Sequence, residues 1–177
     1  MQRAVDGDDA AFGGLLARHR TSALRVATVV LGTADGADDA VQDADARAWR
    51  ARRTIDPDRE FRSWYLRVVA NAAKNMQRTR WRRARLELRD ARTSVVAAPS
   101  DPAEQLIADD ALRPVLAALN RLRREERLVI GLRYFEQLTE REMAGVLGCT
   151  PGTVKSRLSR AMVRLRRELD EQGEDAR

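Results

Sequence analysis

The stretch from Thr139 to Arg167, TEREMAGVLGCTPGTVKSRLSRAMVRLRR, decides the fold. Thr139-Glu140-Arg141-Glu142 has the form of a capping box, with threonine at the N-cap and glutamate three residues on. The helix it starts would bury Met143, Ala144 and Leu147. Gly148 is placed to supply the left-handed conformation common at helix C-termini. Thr150 can cap a second helix, with Pro151 at its first position, where a missing N–H costs nothing. Two helices joined by so short a glycine-containing turn form a helix-turn-helix. At about 100° per residue, Val154, Leu158, Ala161 and Leu165 fall on one stripe of the second helix. Lys155, Ser156, Ser159 and Arg160 project from the other side, with Arg157 and Arg164 at its edges. An apolar back, a hydrogen-bonding front and cationic flanks are what a recognition helix needs in the major groove. An ordinary amphipathic surface helix would share the faces but not the cap and turn.

Upstream, nearly every segment follows helical periodicity and no alternating strand pattern lasts. A helix is expected after Asp8, with Phe12, Leu15 and Leu16 as its stripe, continuing or restarting through Leu24, Val26, Val29, Val30 and Leu31. Gly32 and Gly36 punctuate the chain. A helix from about Ala37 to Arg52 carries Val41, Ala44, Ala48 and Trp49 on one face, with Asp38, Asp39, Gln42 and Asp43 largely off it. A turn at Ile55-Asp56-Pro57-Asp58 precedes a long helix from about Phe61 to Arg89. Between Thr93 and Pro102 the pattern lapses into a proline-containing stretch with no large apolar group, which reads as a linker. Helical periodicity then resumes near Glu104 and breaks at Gly148–Gly152. The pattern predicts an all-α chain of two small helical domains, residues 1–92 and 104–177, joined by a flexible linker over 93–103.

The long helix starts apolar and ends basic, with Trp81 set among Arg78, Arg80, Arg82, Arg83 and Arg85. Such a run can follow a phosphate backbone and stack on an unpaired base, although a solvated basic face would look similar. Asn71 and Asn75, at i and i+4, share a face just before it. Amides there can read base edges or hold an extruded base. The acidic helix at Asp38–Asp43 cannot attract DNA; it either meets a protein or keeps the domain soluble.

Composition narrows the classes. The 177 residues carry a formal charge of +6, with a pI near 10.5, which points to nucleic acid or an anionic surface. Lys74 and Lys155 are the only lysines. The preponderance of arginine suits phosphates and guanine edges, but a GC-rich coding genome would also produce it. One cysteine, Cys149, and one histidine, His19, cannot build a structural zinc site or an intramolecular disulfide. No metal or cofactor is therefore expected. Cys149, inside the turn, reads as a small apolar plug in preference to a redox-sensing thiol. With no Gly-rich phosphate loop and no G-x-S-x-G, catalytic function is not expected. No leader or membrane-length apolar run is visible, and a cytoplasmic protein without membrane insertion is expected.

Three strings together resemble the extracytoplasmic-function (ECF, group 4) sigma factors of the sigma-70 family. Asp38-Asp39-Ala40-Val41-Gln42-Asp43-Ala44, ending in Arg47-Ala48-Trp49-Arg50, is similar to the helix of region 2 that binds the polymerase clamp. Phe61-Arg62-Ser63-Trp64, followed by Asn71-Ala72-Ala73-Lys74-Asn75, is similar to the −10 recognition segment. Leu132-Arg133-Tyr134-Phe135 with Gly152-Thr153-Val154-Lys155-Ser156-Arg157-Leu158-Ser159-Arg160-Ala161 is similar to region 4. The last string alone would also suit a stand-alone helix-turn-helix regulator that binds duplex DNA.

The resemblance implies roles. Asp38, Asp39, Gln42, Asp43 and Arg50 would meet the β′ clamp coiled coil of RNA polymerase core, and region 4 the β flap. Asp58, Arg62, Asn71, Lys74, Asn75, Arg78, Trp81 and Arg82 would handle the melted −10 element. Thr153, Lys155, Ser156, Arg157, Ser159, Arg160 and Arg164 would read the −35 duplex. Polymerase core and promoter DNA are the implied partners, an anti-sigma factor a further candidate, and the free chain a monomer. Three features depart from the family pattern. Asp45 stands where a large apolar residue is usual, Trp64-Tyr65-Leu66 reverses the commoner Trp-Leu-Tyr order, and Ser159 is smaller than the aromatic some members carry.

Overall fold

The computed structural model describes residues 1–56, 60–90 and 113–175. The linker expected over 93–103 and the candidate Asp58 lie outside them. The described elements are helices α1 (Gln2–Val5), α2 (Asp9–Leu31), α3 (Ala37–Ala51), α4 (Phe61–Asp90), α5 (Arg113–Arg121), α6 (Arg124–Tyr134), α7 (Glu140–Leu147) and α8 (Pro151–Asp175). A single 3₁₀ turn, Arg52–Thr54, follows α3. No strand occurs among the described residues.

Local chemistry sets the ends of α2. The Ala11 N–H donates to Asp8 Oδ1 at 2.9 Å. That bond, with the Arg3 guanidinium, holds the Asp8 carboxyl below its ordinary range. Gly32 ends the helix at φ 78° and donates its N–H to Thr28 O at 2.8 Å. The helix runs unbroken between these caps. Leu15 and Leu16 are only half-buried, and Phe12, Val26, Ala27 and Val30 supply its core face.

Helices α2, α3 and α4 form the N-terminal lobe. Buried Ala40, Ala44, Ala48, Ala70 and Ala73 let the helices approach closely, around Val41, Tyr65, Leu66 and Val69. Phe12 packs edge-on against Trp49 and Phe61, at ring-centroid distances of 5.7 and 5.9 Å. Phe61 in turn stacks on Tyr65 at 5.6 Å. Aromatic pairs in such geometry add about 0.5–1.5 kcal/mol beyond their burial.

The C-terminal lobe, α5 to α8, encloses Leu128, Leu132, Leu138, Met143, Val146, Val154 and Ala161. Its helices break at two places besides Gly148–Gly152. The Arg123 N–H donates to Glu126 Oε2 at 3.0 Å to start α6. After α6, Gln137 turns the chain at φ 54°.

The lobes also touch. α6 packs against α2, and α7 against α4. At the first contact a Cβ placed on Gly131 would lie 2.9 Å from Val29 Cγ1, so only glycine lets these helices meet so closely without adjustment.

Candidate nucleic-acid interface

The helix-turn-helix is built as its sequence requires. Glu142 Oε2 accepts from the Thr139 N–H at 2.6 Å, and Thr139 Oγ1 accepts from the Glu142 N–H at 3.3 Å. The Thr139 hydroxyl and N–H together hold the Glu142 carboxyl below its ordinary range. Gly148 adopts φ 66° and closes α7. Thr150 Oγ1 accepts from the Thr153 N–H at 3.3 Å, which caps α8, and the two hydroxyls sit 3.0 Å apart. Cys149 is half-buried and packs against the core, in line with a plug between the helices.

Val154, Ala161 and Leu165 are buried on the back of α8, and Leu158 is half-buried. Lys155, Ser156, Arg157, Ser159 and Arg160 are exposed, while Thr153 and Arg164 are partly covered. The front is partly organised by itself. The Ser156 hydroxyl donates to Thr153 O at 3.0 Å, and Arg160 Nε donates to Ser156 O at 3.1 Å. Arg164 sits 3.9 Å from Glu126 of α6, a loose ion pair that leaves its guanidinium available at the edge.

On α4, Asn71 and Asn75 are both exposed and one turn apart. Arg78, Arg82 and Trp81 follow in the open, Trp81 at 74% exposure. An indole that bare, with no ring partner among the described residues, is a stacking surface. Lys74 differs from its neighbours: it is half-buried, and burial pushes its ammonium below the ordinary value. Arg124, Arg157 and Arg67 add to that push against a smaller opposing pull from Glu125. Arg62 is also engaged, since one guanidinium nitrogen donates to both Glu136 O and Glu136 Oε2 at 2.9 Å.

The acidic helix α3 presents Asp38, Asp39, Gln42 and Arg50 to solvent, with Asp43 half-covered. Asp38 pairs with Arg20 of α2 at 2.7 Å and Asp43 with Arg47 at 2.9 Å. Exposed pairs of this kind contribute about 0–1 kcal/mol and can exchange for a partner. Asp45 is turned to the other side of α3, toward α4, where the Tyr65 hydroxyl donates to it.

Sequence reasoning missed the residues that join the lobes: Arg25, Arg127 and Glu136. Arg127 Nε donates to Val29 O at 2.9 Å and its Nη2 to Val30 O at 3.3 Å, at the C-terminal end of α2. These partners are 98 and 97 residues apart in the chain, and no local pattern marks them. Beside this contact a cleft of about 570 Å³ opens between α2 and the C-terminal lobe, lined by Leu24, Thr28, Val29, Leu119, Arg127 and Phe135, among others. Among the described residues no cluster of His, Cys, Asp and Glu could hold a metal ion, and no helix is long and apolar enough to cross a membrane.

Comparison with known proteins matches the two lobes separately. Residues 15–83 fit the family model of sigma-70 region 2, and residues 112–165 that of sigma-70 region 4. The RNA polymerase sigma factor CnrH of Cupriavidus metallidurans is 33% identical over 180 residues, covering 97% of this chain and 93% of its own length. The RNA polymerase sigma-E factor of Streptomyces coelicolor is 39% identical over 142 residues, 80% of this chain and 76% of its own. The ECF RNA polymerase sigma-E factor of Escherichia coli is 29% identical over 170 residues, 91% of this chain and 87% of its own. Among solved structures, the sigma factor RpoE of Bartonella quintana in complex with the anti-sigma factor NepR superposes with a TM-score of 0.71 at 27% identity, covering 90% of this chain and 97% of that one. With regions 2 and 4 both present, and relatives aligned over most of their length, the chain belongs to the extracytoplasmic-function family of RNA polymerase sigma factors.

Proposed function

We propose that this alternative sigma factor directs initiation through three surfaces of its own chain: α3 on core polymerase, α4 on the melted −10 strand and α8 on the −35 duplex. The domain limits are 1–92 and 104–177, with the chain between them spanning the two promoter contacts. It acts as a group 4 member, in the cytoplasm, and is a monomer when free. Asp38, Asp39, Gln42, Asp43 and Arg50 meet the β′ clamp. Lys155, Ser156, Ser159 and Arg160 contact base edges, while Thr153, Arg157 and Arg164 fix α8 on the phosphates. Phosphate contacts position and base contacts specify.

On α4 the work is different. Taking a base out of the stack costs a few kcal/mol, least where the duplex is already open. Trp81 offers a stacking face, worth about 1–3 kcal/mol per base. Asn71 and Asn75 offer amides to the edge of an extruded base, and Lys74, Arg78 and Arg82 neutralise the strand's phosphates, together with Arg62 once it leaves Glu136; the acid Asp58 would instead accept from a base amino group. Neither surface performs covalent chemistry, in keeping with a family that is generally non-catalytic.

The observation that carries this reading is the pairing, in one chain, of a capped helix-turn-helix with a second, unlike nucleic-acid surface. A regulator that binds duplex alone has no use for an exposed Asn71/Asn75 pair followed by Arg78, Trp81 and Arg82. Two solved relatives are held by partner proteins: RpoE by the anti-sigma factor NepR, and CnrH by the cytosolic domain of CnrY. By that likeness a partner of the same class regulates this chain, seated in the cleft between the lobes. The roles on α4 are tested with Asn71→Ala and Asn75→Ala in holoenzyme, on a duplex promoter and on the same promoter with a pre-melted −10 bubble. The variants should lose open-complex formation on the duplex and recover much of it on the bubble. Equal loss on both templates contradicts the role in melting.

A further inference from the structure

We propose that Val163 is a specificity-determining residue of the −35 contact, its methyl groups reading the C5-methyl of one thymine from beside Ser159 and Arg160. The proposal rests on the assignment of α8 to the −35 duplex, and adds an apolar contact to the polar ones given there.

An apolar side chain stands where the protein has nothing to pack against it. Val163 is 67% exposed. At about 100° per residue it lies about 20° from Ser156, about 40° from Ser159 and about 60° from Arg160, in the middle of the front of α8. The buried stripe of Val154, Ala161 and Leu165 is on the opposite side. A valine in this place gains nothing from the core, and it forms helix less readily than the arginines around it. Further along, the front changes sign. Arg167 pairs with Glu171 at 2.8 Å, and Asp170 is exposed beside them. Carboxylates repel the phosphate backbone, so the part of α8 that can lie in a groove ends close to Val163.

Major-groove chemistry decides what a valine there can read. Among the bases, thymine alone presents a methyl group at the groove edge, and apolar side chains contact it. A helical valine keeps one χ1 rotamer about 90% of the time, so its methyls are set before binding and little freedom is lost. Side chains on a helix lean toward its N-terminus, so Val163 covers the surface over the preceding turn. That turn carries Ser159, exposed and ending in a single hydroxyl. A ring at 159 would fill the space in front of the base edge, and the serine leaves it to Val163. Arg160 flanks the same spot. Its Nε donates to Ser156 O at 3.1 Å, which leaves both Nη atoms for a guanine. Arg160 and Val163 are about 4.5 Å apart along the axis at about 1.5 Å per residue. With about 3.4 Å of rise per base pair, the thymine lies within about two base pairs of the pair that Arg160 contacts.

The test removes the methyl from each side of the contact in turn. Holoenzyme binding is compared on promoters in which each −35 thymine, on either strand, is replaced singly by uracil, which lacks only that methyl. The wild type should lose about 4-fold at one thymine, the factor that one buried methyl group is worth. Val163→Ala should bind the thymine promoter about 4-fold more weakly and should no longer distinguish thymine from uracil at that position. Alanine is the better helix former, so α8 is kept in the variant. The sensitive thymine should fall within about two base pairs of the position where Arg160→Ala loses discrimination. Binding indifferent to uracil at every position, a −35 element with no thymine on either strand, or a sensitivity that Val163→Ala retains overturns the proposal. In those cases the assignment of α8 still stands if ordinary base-pair changes in the −35 element weaken binding. If such changes have no effect either, that assignment falls with it.

Discussion

The Tyr65 hydroxyl donates a 2.5 Å hydrogen bond to Asp45, tying α4 to α3 inside the N-terminal lobe. Each residue departs from the family pattern, and the structure makes the two departures one feature. An acid on the inner side of α3 needs a donor, and the exchanged order Trp64-Tyr65-Leu66 delivers a phenol to it. Burial, and then the Asp45 carboxylate, push the Tyr65 phenol far above its ordinary value, so it remains a donor at any working pH.

A double-mutant cycle measures that tie. Tyr65→Phe should cost roughly 1–3 kcal/mol by stranding the Asp45 acceptor. Tyr65→Phe with Asp45→Leu restores an apolar pair and should recover most of the loss, because removing both partners is nearly neutral. Urea unfolding of the four proteins reads the coupling. Additive losses would mean the two side chains do not act as a pair.

Arg160→Ala should relax −35 discrimination by about 1–3 kcal/mol if the guanidinium makes a bidentate contact to guanine. Competition binding by holoenzyme on promoters altered one base pair at a time provides the measurement. Undiminished selectivity would show that the front of α8 is wrongly assigned. Arg157→Ala should instead weaken all sequences alike and flatten the salt dependence.

Removing the first cap of the helix-turn-helix should be felt in stability. Thr139→Ala loses the hydroxyl that accepts from the Glu142 N–H and should cost about 1 kcal/mol. It should also weaken the acid dependence of unfolding. The Glu142 carboxyl is depressed in the folded chain, chiefly by Thr139, so its contribution is present above about pH 4.5 and fades as pH falls through that region. Unchanged melting curves across pH 3–7, in wild type and variant, would refute the role of the box.

His19 supplies a second pH dependence in a different window. Its ring lies 5.7 Å from Phe61. Burial foremost, then Arg62 and Arg18, lower its pKa against a smaller pull from Glu60. The unfolded chain therefore binds the proton more readily, and stability is complete above about pH 6.5 and declines as pH falls toward the folded value. His19→Gln should abolish the part of the melting-temperature slope that lies just below about pH 6.5. A slope identical to the wild type's there would assign that dependence to another group.

What the sequence could disclose was local. The caps at Thr139 and Thr150, the left-handed Gly148 and the two faces of α8 are all set by residues within four positions of one another, and each was readable. So were the length of α4, its change from apolar to basic, and the exposed acids of α3. The breaks around α6 were not readable, because they lack the usual signals. Arg123 stands where Ser, Thr, Asp or Asn would mark an N-cap, and Gln137 takes φ 54° where glycine or asparagine would have announced it. The lobe contact was equally silent, since Arg62 and Glu136 are 74 residues apart and leave no period. Asp45 and Tyr65 were each visible as exceptions, but only the fold brings them together.

The central claim is that this chain supplies promoter specificity to RNA polymerase, and one measurement tests it most directly. Core polymerase is mixed with the full chain and a library of genomic fragments, and the 5′ ends of run-off transcripts are mapped. Transcripts should appear only with the chain present, and their start sites should share one −35 and one −10 element at fixed spacing. A set of start sites identical with and without the chain would contradict it.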